Sequence, residues 1–340
     1  MSRGRRDRDL ADRLLAGVTR MMPAGRSEWG RAMQAELATI ETARRRLSFV
    51  AGCARTVVRE PSAYRRAGYP LLVAAALAAA GVKASTLTYL PLRVCLVALV
   101  GVLAIVSWRG RRPGLLGPVG TSRSAHAMRI AGYLTVAAST IWLLANLGKN
   151  PDQAPSAVRT APFAAVALAV FLIGFLTLTS RRCAADSRVL ISGAASGVAA
   201  ALLWVAVVVL FHPIPTNIVG ALLAVGAAML TAGLVSAHGR ASTGRSLLAA
   251  LAAGVISALL IVQAVVVLSA LGPASFIPDL AAPALTAADD LAQSRNEIQD
   301  PYVGVAFIGF VLAALLSVTA SRAKGAKEPD PLPTMASEGQ

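Results

Sequence analysis

The side chains able to do chemistry are few in this sequence and widely spaced. Its three histidines, His126, His212 and His238, stand far apart and none lies beside a glutamate, so no HExxH zinc-hydrolase pair is present. The three cysteines, Cys53, Cys95 and Cys183, show neither CxxC nor Cys/His spacing, which argues against a disulfide or zinc framework and predicts reduced thiols. A rhomboid-like serine nucleophile needs G-x-S-G with a histidine on another helix. The nearest text, Gly193-Ala194-Ala195-Ser196-Gly197, misplaces its first glycine, and Gly193 and Gly197 suit a GxxxG helix-packing surface better. No G-x-x-x-x-G-K-[ST] phosphate loop occurs. His212 opens His212-Pro213-Ile214-Pro215 and reads as a turn residue in preference to a pH sensor. The sequence therefore predicts no catalytic residue, no cofactor and no metal, and a chain that is not an enzyme.

The elements that must hold these residues are long apolar runs. The chain is 56% hydrophobic and 15% charged, against about 45–50% and about 25% in a soluble domain. From Pro61 to Pro278 the only acidic residues are Asp152 and Asp186, too few carboxylates to keep over two hundred residues in water. Eight runs are long enough to cross a bilayer, near 68–88, 91–108, 127–147, 161–180, 189–211, 216–237, 247–271 and 301–320. Backbone groups in hydrocarbon must be satisfied within each run, so each is a helix. The predicted fold is all-α: a polytopic transmembrane helical bundle of about eight spans (67–320), with a peripheral N-terminal helical segment (1–66).

Polar residues inside these runs are scarce. Gln263 lies mid-way along the seventh, Asn146 near the outer end of the third, and Asn217 at the start of the sixth. All three are candidate intramembrane polar contacts. An amide at that depth is expected to hydrogen-bond a neighbouring helix, with a substrate contact as the alternative. Lys83 reads as a snorkelling anchor at the end of the first run, and Trp108, Trp142 and Trp204 as interface or packing aromatics. No run contains Asp or Glu, which weighs against a proton-coupled antiporter.

Charge sets the expected orientation. With the N-terminus inside, twenty-seven Lys and Arg fall on cytoplasmic segments and three, Lys149, Arg159 and Arg295, on outer loops. Omitting one span would collapse that bias. Eight spans with both termini cytoplasmic follow, in a bacterial plasma membrane, given the Ala-, Arg- and Gly-rich composition. The same bias accounts for the net charge of +16 without a nucleic-acid partner. Ahead of the first run, which begins near Tyr69, the chain is too charged for a signal peptide, so that span is expected to direct its own insertion. The one long outer linker, 272–301, holds Asp279, Asp289, Asp290, Glu297 and Asp300. Its residues 283–298 are expected to form a short helix with Leu285, Ala288, Leu291, Ala292 and Ile298 on one face, serving as a solvated cap or an outer ligand or partner site. Residues 321–340 are expected to be a disordered cytoplasmic tail.

The prefix 1–66 carries fifteen Arg and seven acidic residues. Helical spacing aligns Leu10, Leu14, Val18 and Met21, then Trp29, Met33, Leu37 and Ile40, then Leu47, Val50, Ala54 and Val57. Three short amphipathic helices must bury those stripes on one another, on lipid or on a partner. Trp29, Met33, Leu37, Arg44, Arg45 and Arg46 are the candidate contacts to anionic lipid or to a cytoplasmic protein partner. The text Trp29-Gly30-Arg31-Ala32-Met33-Gln34-Ala35-Glu36-Leu37, followed by Phe49-Val50-Ala51-Gly52-Cys53, resembles a recurrent prefix of actinobacterial multi-pass membrane proteins of unassigned function. It is also similar to the leader before some transporter permease domains. The resulting expectation is a non-enzymatic scaffold, sensor or regulatory subunit in the lipid bilayer, or alternatively a transporter or permease for an apolar or amphipathic solute. Oligomeric state is not legible in the sequence.

Overall fold

The computed structural model describes residues 3–20, 27–59, 61–146, 154–183, 185–238, 242–280 and 286–323. Among these residues there are twelve α-helices and no strand: α1 (Arg3–Arg20), α2 (Ser27–Thr39), α3 (Ala43–Arg59), α4 (Pro61–Thr86), α5 (Leu90–Arg109), α6 (Arg123–Asn146), α7 (Ala154–Leu178), α8 (Ser187–Leu210), α9 (Val219–Ala237), α10 (Thr243–Leu271), α11 (Ala287–Glu297) and α12 (Val303–Arg322). Eight of them, α4 to α10 and α12, are long and apolar enough to span a membrane, and their positions match the eight runs read from sequence. The chain is a multi-pass membrane protein. Its exposed side chains agree, since Leu134, Ile141, Leu203, Leu223 and Leu230 stand about two-thirds exposed along the bundle. In water such a band would drive aggregation; in hydrocarbon it is ordinary surface. The tail beyond Ala323, Met21 and Leu285 lie outside the described residues.

The chain divides into two compact units, Met1–Val82 and Lys83–Gln340. In the first, α1, α2 and α3 pack on one another around Ala11, Leu15, Leu37, Val50 and Cys53. The buried stripe of α1 differs from the one expected: Ala11, Leu15 and Val18 are buried, while Leu10 and Leu14 are half exposed. On α3, Arg46 and Cys53 are buried and Leu47 is exposed. Each helix packs against two others at once, and that turns its buried side away from the centre of the apolar stripe. Burial and the nearby Glu36 push the Cys53 thiol above its ordinary range.

In the second unit α10 is the axis, packed on α8, α9 and α12, while α12 also meets α7, and α7 meets α5 and α6. The two ends of this bundle are built differently. One carries the arginine-rich loops after α5, α7 and α9 and is called here the arginine end. The other carries the 272–301 segment and is called the linker end. Lys83 falls in the last turn of α4, a position from which a lysine reaches the interface.

At the arginine end Arg129 of α6 is 5% exposed. Its guanidinium donates to the carbonyls of Gly110 (3.2 Å), Leu116 (3.3 Å), Gly117 (2.9 Å) and Leu176 (2.9 Å) and to Thr179 Oγ1 (2.9 Å). These acceptors lie at the C-terminal ends of α5 and α7 and in the loop between α5 and α6, where helix dipoles concentrate partial negative charge. One side chain thus ties three elements together. Asp186 caps α8 by accepting from the Val189 N–H at 2.9 Å and pairs with Arg245 at 3.4 Å.

Beside these contacts the helices meet through small residues. A Cβ on Gly193 would lie 3.0 Å from Ala252 Cβ, and one on Gly197 would lie 2.8 Å from the Ala253 carbonyl oxygen and 2.9 Å from Ile256 Cβ. The GxxxG reading of this text therefore holds: the two glycines bring the backbones of α8 and α10 together.

Candidate functional site

The linker folds back onto the bundle because Arg295, Gln299 and the following Tyr302 are tied to the end of α10 and to the turn between α8 and α9. Arg295 donates to the carbonyls of Ser269 (2.6 Å) and Gly272 (2.8 Å), satisfying the C-terminal end of α10. Gln299 donates to Ser269 Oγ at 3.0 Å, and Tyr302 donates to the Pro215 carbonyl at 3.0 Å while packing edge-on against Trp204. Ile298 is fully buried. Thr286 begins α11 by accepting from the Asp289 N–H at 3.3 Å. The expected short helix is present, as Ala287–Glu297 against expected bounds of 283–298. Its docking runs through Leu291, Ser294 and Ile298, whereas Ala288 and Ala292 are exposed.

The opposite face of the same segment borders a cavity of about 830 Å³. Gln293, Asn296, Glu297 and Asp300 line its mouth. Gln293, Asn296 and Glu297 share one face of α11, and Asp300 follows in the turn before α12. Leu87, Thr88 and Tyr89 form one side of the entrance, and Trp142 of α6 another. Inward, the walls become apolar: Phe163, Ala164, Ala167, Leu168 and Phe171 from α7, with Leu259, Val262 and Val266 from α10. On α10 the lining runs from Leu259 to Val267, so the cavity extends about 12 Å along the helix at 1.5 Å per residue. It ends where Gly309 of α12 meets α10 and α7, since a Cβ there would lie 2.9 Å from Ala258 Cβ and 3.1 Å from Phe171 Cζ.

Gln263 supplies the one amide part-way down. Its Nε2 donates to Ser139 Oγ, and the Thr135 carbonyl lies 3.5 Å away, so α10 and α6 are joined across the cavity wall. Both Gln263 and Ser139 line the cavity. At the rim Gln293 donates to Glu297, and among the described residues neither Glu297 nor Asp300 is paired with a cation. Chemically the site is an apolar sleeve with a hydrogen-bonding collar and two carboxylates at its mouth. It suits the body and head of an amphipathic molecule.

The other residues singled out from sequence lie elsewhere. Asn217 sits in the exposed turn before α9, where its Oδ1 accepts from the Val219 N–H at 3.2 Å, and it takes no part in the cavity. Asn146 ends α6, and its side chain lies outside the described residues. In the N-terminal unit Leu37 is 1% exposed and Met33 packs beside it. Arg46 is buried, donating to the carbonyls of Leu37 (2.9 Å) and Ile40 (3.2 Å) and pairing with Asp12 at 2.8 Å. Three candidates for lipid or partner contact are thus taken up by the unit itself, and Trp29, Arg44 and Arg45 remain exposed. At the turn between α8 and α9 the His212–Pro213 peptide is cis, His212 stacks on Phe276 at 5.4 Å, and Ile214 is fully buried. Among the described residues no group of three or more His, Cys, Asp or Glu is placed to hold a metal ion. The sequence points to Glu297 and Asp300 and to a ligand site on this linker as one alternative, while Gln293 and Asn296 go unnoticed; the 293, 296, 297 and 300 spacing is the signal that joins them. No protein family matches this chain, and comparison with curated proteins and with solved structures finds no match.

Proposed function

We propose that this chain is a non-enzymatic sensor or regulatory subunit that binds an amphipathic solute in the linker-end cavity. The observation that carries this reading is the cavity itself: an 830 Å³ sleeve, apolar within and polar at its mouth, that ends against closely packed glycine and alanine. Its volume lies in the range of small-molecule sites, about 300–1,000 Å³. A purely scaffolding bundle has no need of such a space, because unfilled volume forfeits dispersion contacts. A second reading, a permease for the same class of solute, draws support from the extent of the cavity between the spanning helices α6, α7 and α10.

Reconstitution in liposomes separates these readings. Saturable binding of a fluorescent amphiphile without flux is the expected result. Flux that is lost when the cavity is filled favours the permease. Absence of both leaves a scaffold and overturns the proposal.

The orientation belongs to the same reading. The arginine end faces the cytoplasm of a bacterial plasma membrane, with both termini inside, and the cavity opens outward. A reporter fused in the loop after Trp108 should register as cytoplasmic; an exterior signal would invert the scheme. The exposed Trp29, Arg44 and Arg45 serve contact with anionic lipid or with a cytoplasmic protein. The prefix also supports membership of the actinobacterial group that it resembles. Deleting residues 1–60 should change the set of co-purifying proteins if the prefix docks a partner.

A further inference from the structure

The proposed cavity binding leaves the class of solute open, and the lining narrows it. The chain carries a net charge of +16, yet among the described residues no Lys, Arg or His lines the cavity, whereas Glu297 and Asp300 do. Two described basic residues nearby are directed elsewhere: Arg295 is spent on the end of α10, and Arg93 donates to the Leu87 carbonyl at 2.6 Å. The side chains of Gln293 and Asn296 stand beside the carboxylates, and the rings of Tyr89 and Trp142 stand at the entrance.

From this combination we infer that the solute is a cationic amphiphile, of the alkylammonium type, with its head at the collar and its apolar body in the sleeve. The inference rests on the binding reading above. A cation entering the mouth meets two carboxylates and aromatic faces in a setting partly shielded from water, and both attract it. An anionic head of the same size meets the negative charge of the same two carboxylates. A neutral head gains hydrogen bonds from the amides but no charge term. The sleeve, apolar down to Phe171 and Leu259 apart from Gln263 and Ser139, runs about 12 Å along α10 and accepts an alkyl body.

The test uses the full chain in nanodiscs of zwitterionic lipid and a photoreactive dodecylammonium probe, with labelled peptides mapped by mass spectrometry. Labelling should fall on α7 and α10 and saturate. Dodecyltrimethylammonium should compete at concentrations about tenfold lower than dodecyl maltoside, and dodecyl sulfate should compete least. The Glu297→Gln/Asp300→Asn variant should bring cation and maltoside to within about twofold, with maltoside itself unchanged. Should that variant not fold, the ranking of the three competitors on the unmodified chain decides alone. Equal competition by all three overturns the cationic class and leaves cavity binding standing. Labelling that none of the three displaces overturns cavity binding itself.

Discussion

Along one axis helix the bundle changes character. From Leu248 to Leu259 nearly every residue of α10 is buried, against glycine and alanine of α8, α9 and α12. From Leu260 to Leu268 only Ile261 and Val265 are buried to that degree. Both stretches are apolar, so hydropathy does not separate them; side-chain volume does. Lipid offers apolar surface as readily as protein, and helices therefore associate through close packing and hydrogen bonds rather than through the hydrophobic effect. Small residues let the arginine end close. Phe163 and Trp142 hold the linker end apart around a cavity that a ligand can fill. The difference suggests a rigid base beneath a receptive mouth.

The strongest way to break that comparison is to remove the clamp beneath it. Arg129→Met keeps the apolar stem but leaves the Gly110, Gly117 and Leu176 carbonyls and the Thr179 hydroxyl without their donor. A loss of about 3–5 kcal/mol is expected, because an ionic donor satisfying buried acceptors is costly to delete. Thermal unfolding in detergent, followed by size-exclusion chromatography, would read it, and an unchanged midpoint would show that the arginine end is not clamped. Next in size is Gly197→Ala. Its added methyl meets the Ala253 carbonyl at 2.8 Å and Ile256 Cβ at 2.9 Å, both on a helix that is itself packed on three sides. About 1–3 kcal/mol of overpacking is expected in the same assay.

Much of this architecture could be read from residue types alone, because hydrocarbon imposes a rule that sequence obeys visibly: runs of about 20 apolar residues must be helices. The eight spans, the short linker helix, the Gly193–Gly197 contact and the hydrogen bond from Gln263 to a neighbouring helix all follow from that rule and its corollaries. What stayed hidden were pairings set by long-range approach. Arg46 and Arg295 count as surface charges in a tally of loops and Arg129 as the residue that opens the third span, yet each satisfies helix C-terminal carbonyls brought to it by folding. Nothing in the spacing of Arg129 announces the Leu176 carbonyl, 47 residues away. The polar collar was hidden for a related reason. Gln293, Asn296, Glu297 and Asp300 share a face in any helical reading, but only the fold shows that the face looks into a cavity and not into solvent.

A smaller effect probes the seam between the two halves. Gln263→Leu removes the amide that joins α10 to α6 through Ser139. Interhelical hydrogen bonds in membranes contribute about 0.6 kcal/mol on average, so the unfolding midpoint should fall only slightly. Ligand binding should respond more, since the same amide lines the sleeve part-way down. A variant that loses several kcal/mol instead would place Gln263 in the rigid base and move the boundary of that base toward the linker end.

The smallest expected effect is also the most direct reading of empty space. Ala164→Leu adds three carbons to α7 at a wall position of the cavity, whereas Gly197→Ala adds one carbon to α8 where the backbones touch. If volume were uniformly filled, the larger addition would cost more. With a cavity before it, the leucine side chain has room to adopt an ordinary rotamer and gains contacts that the void had denied. Stability should then stay within about 0.5 kcal/mol of the parent, while binding of a dodecyl probe falls because the sleeve is narrowed. The two substitutions therefore invert the order that side-chain size alone predicts. A midpoint for Ala164→Leu lower than that for Gly197→Ala would mean that α7 packs as tightly as α8, and the distinction between closed base and open mouth would have to be abandoned.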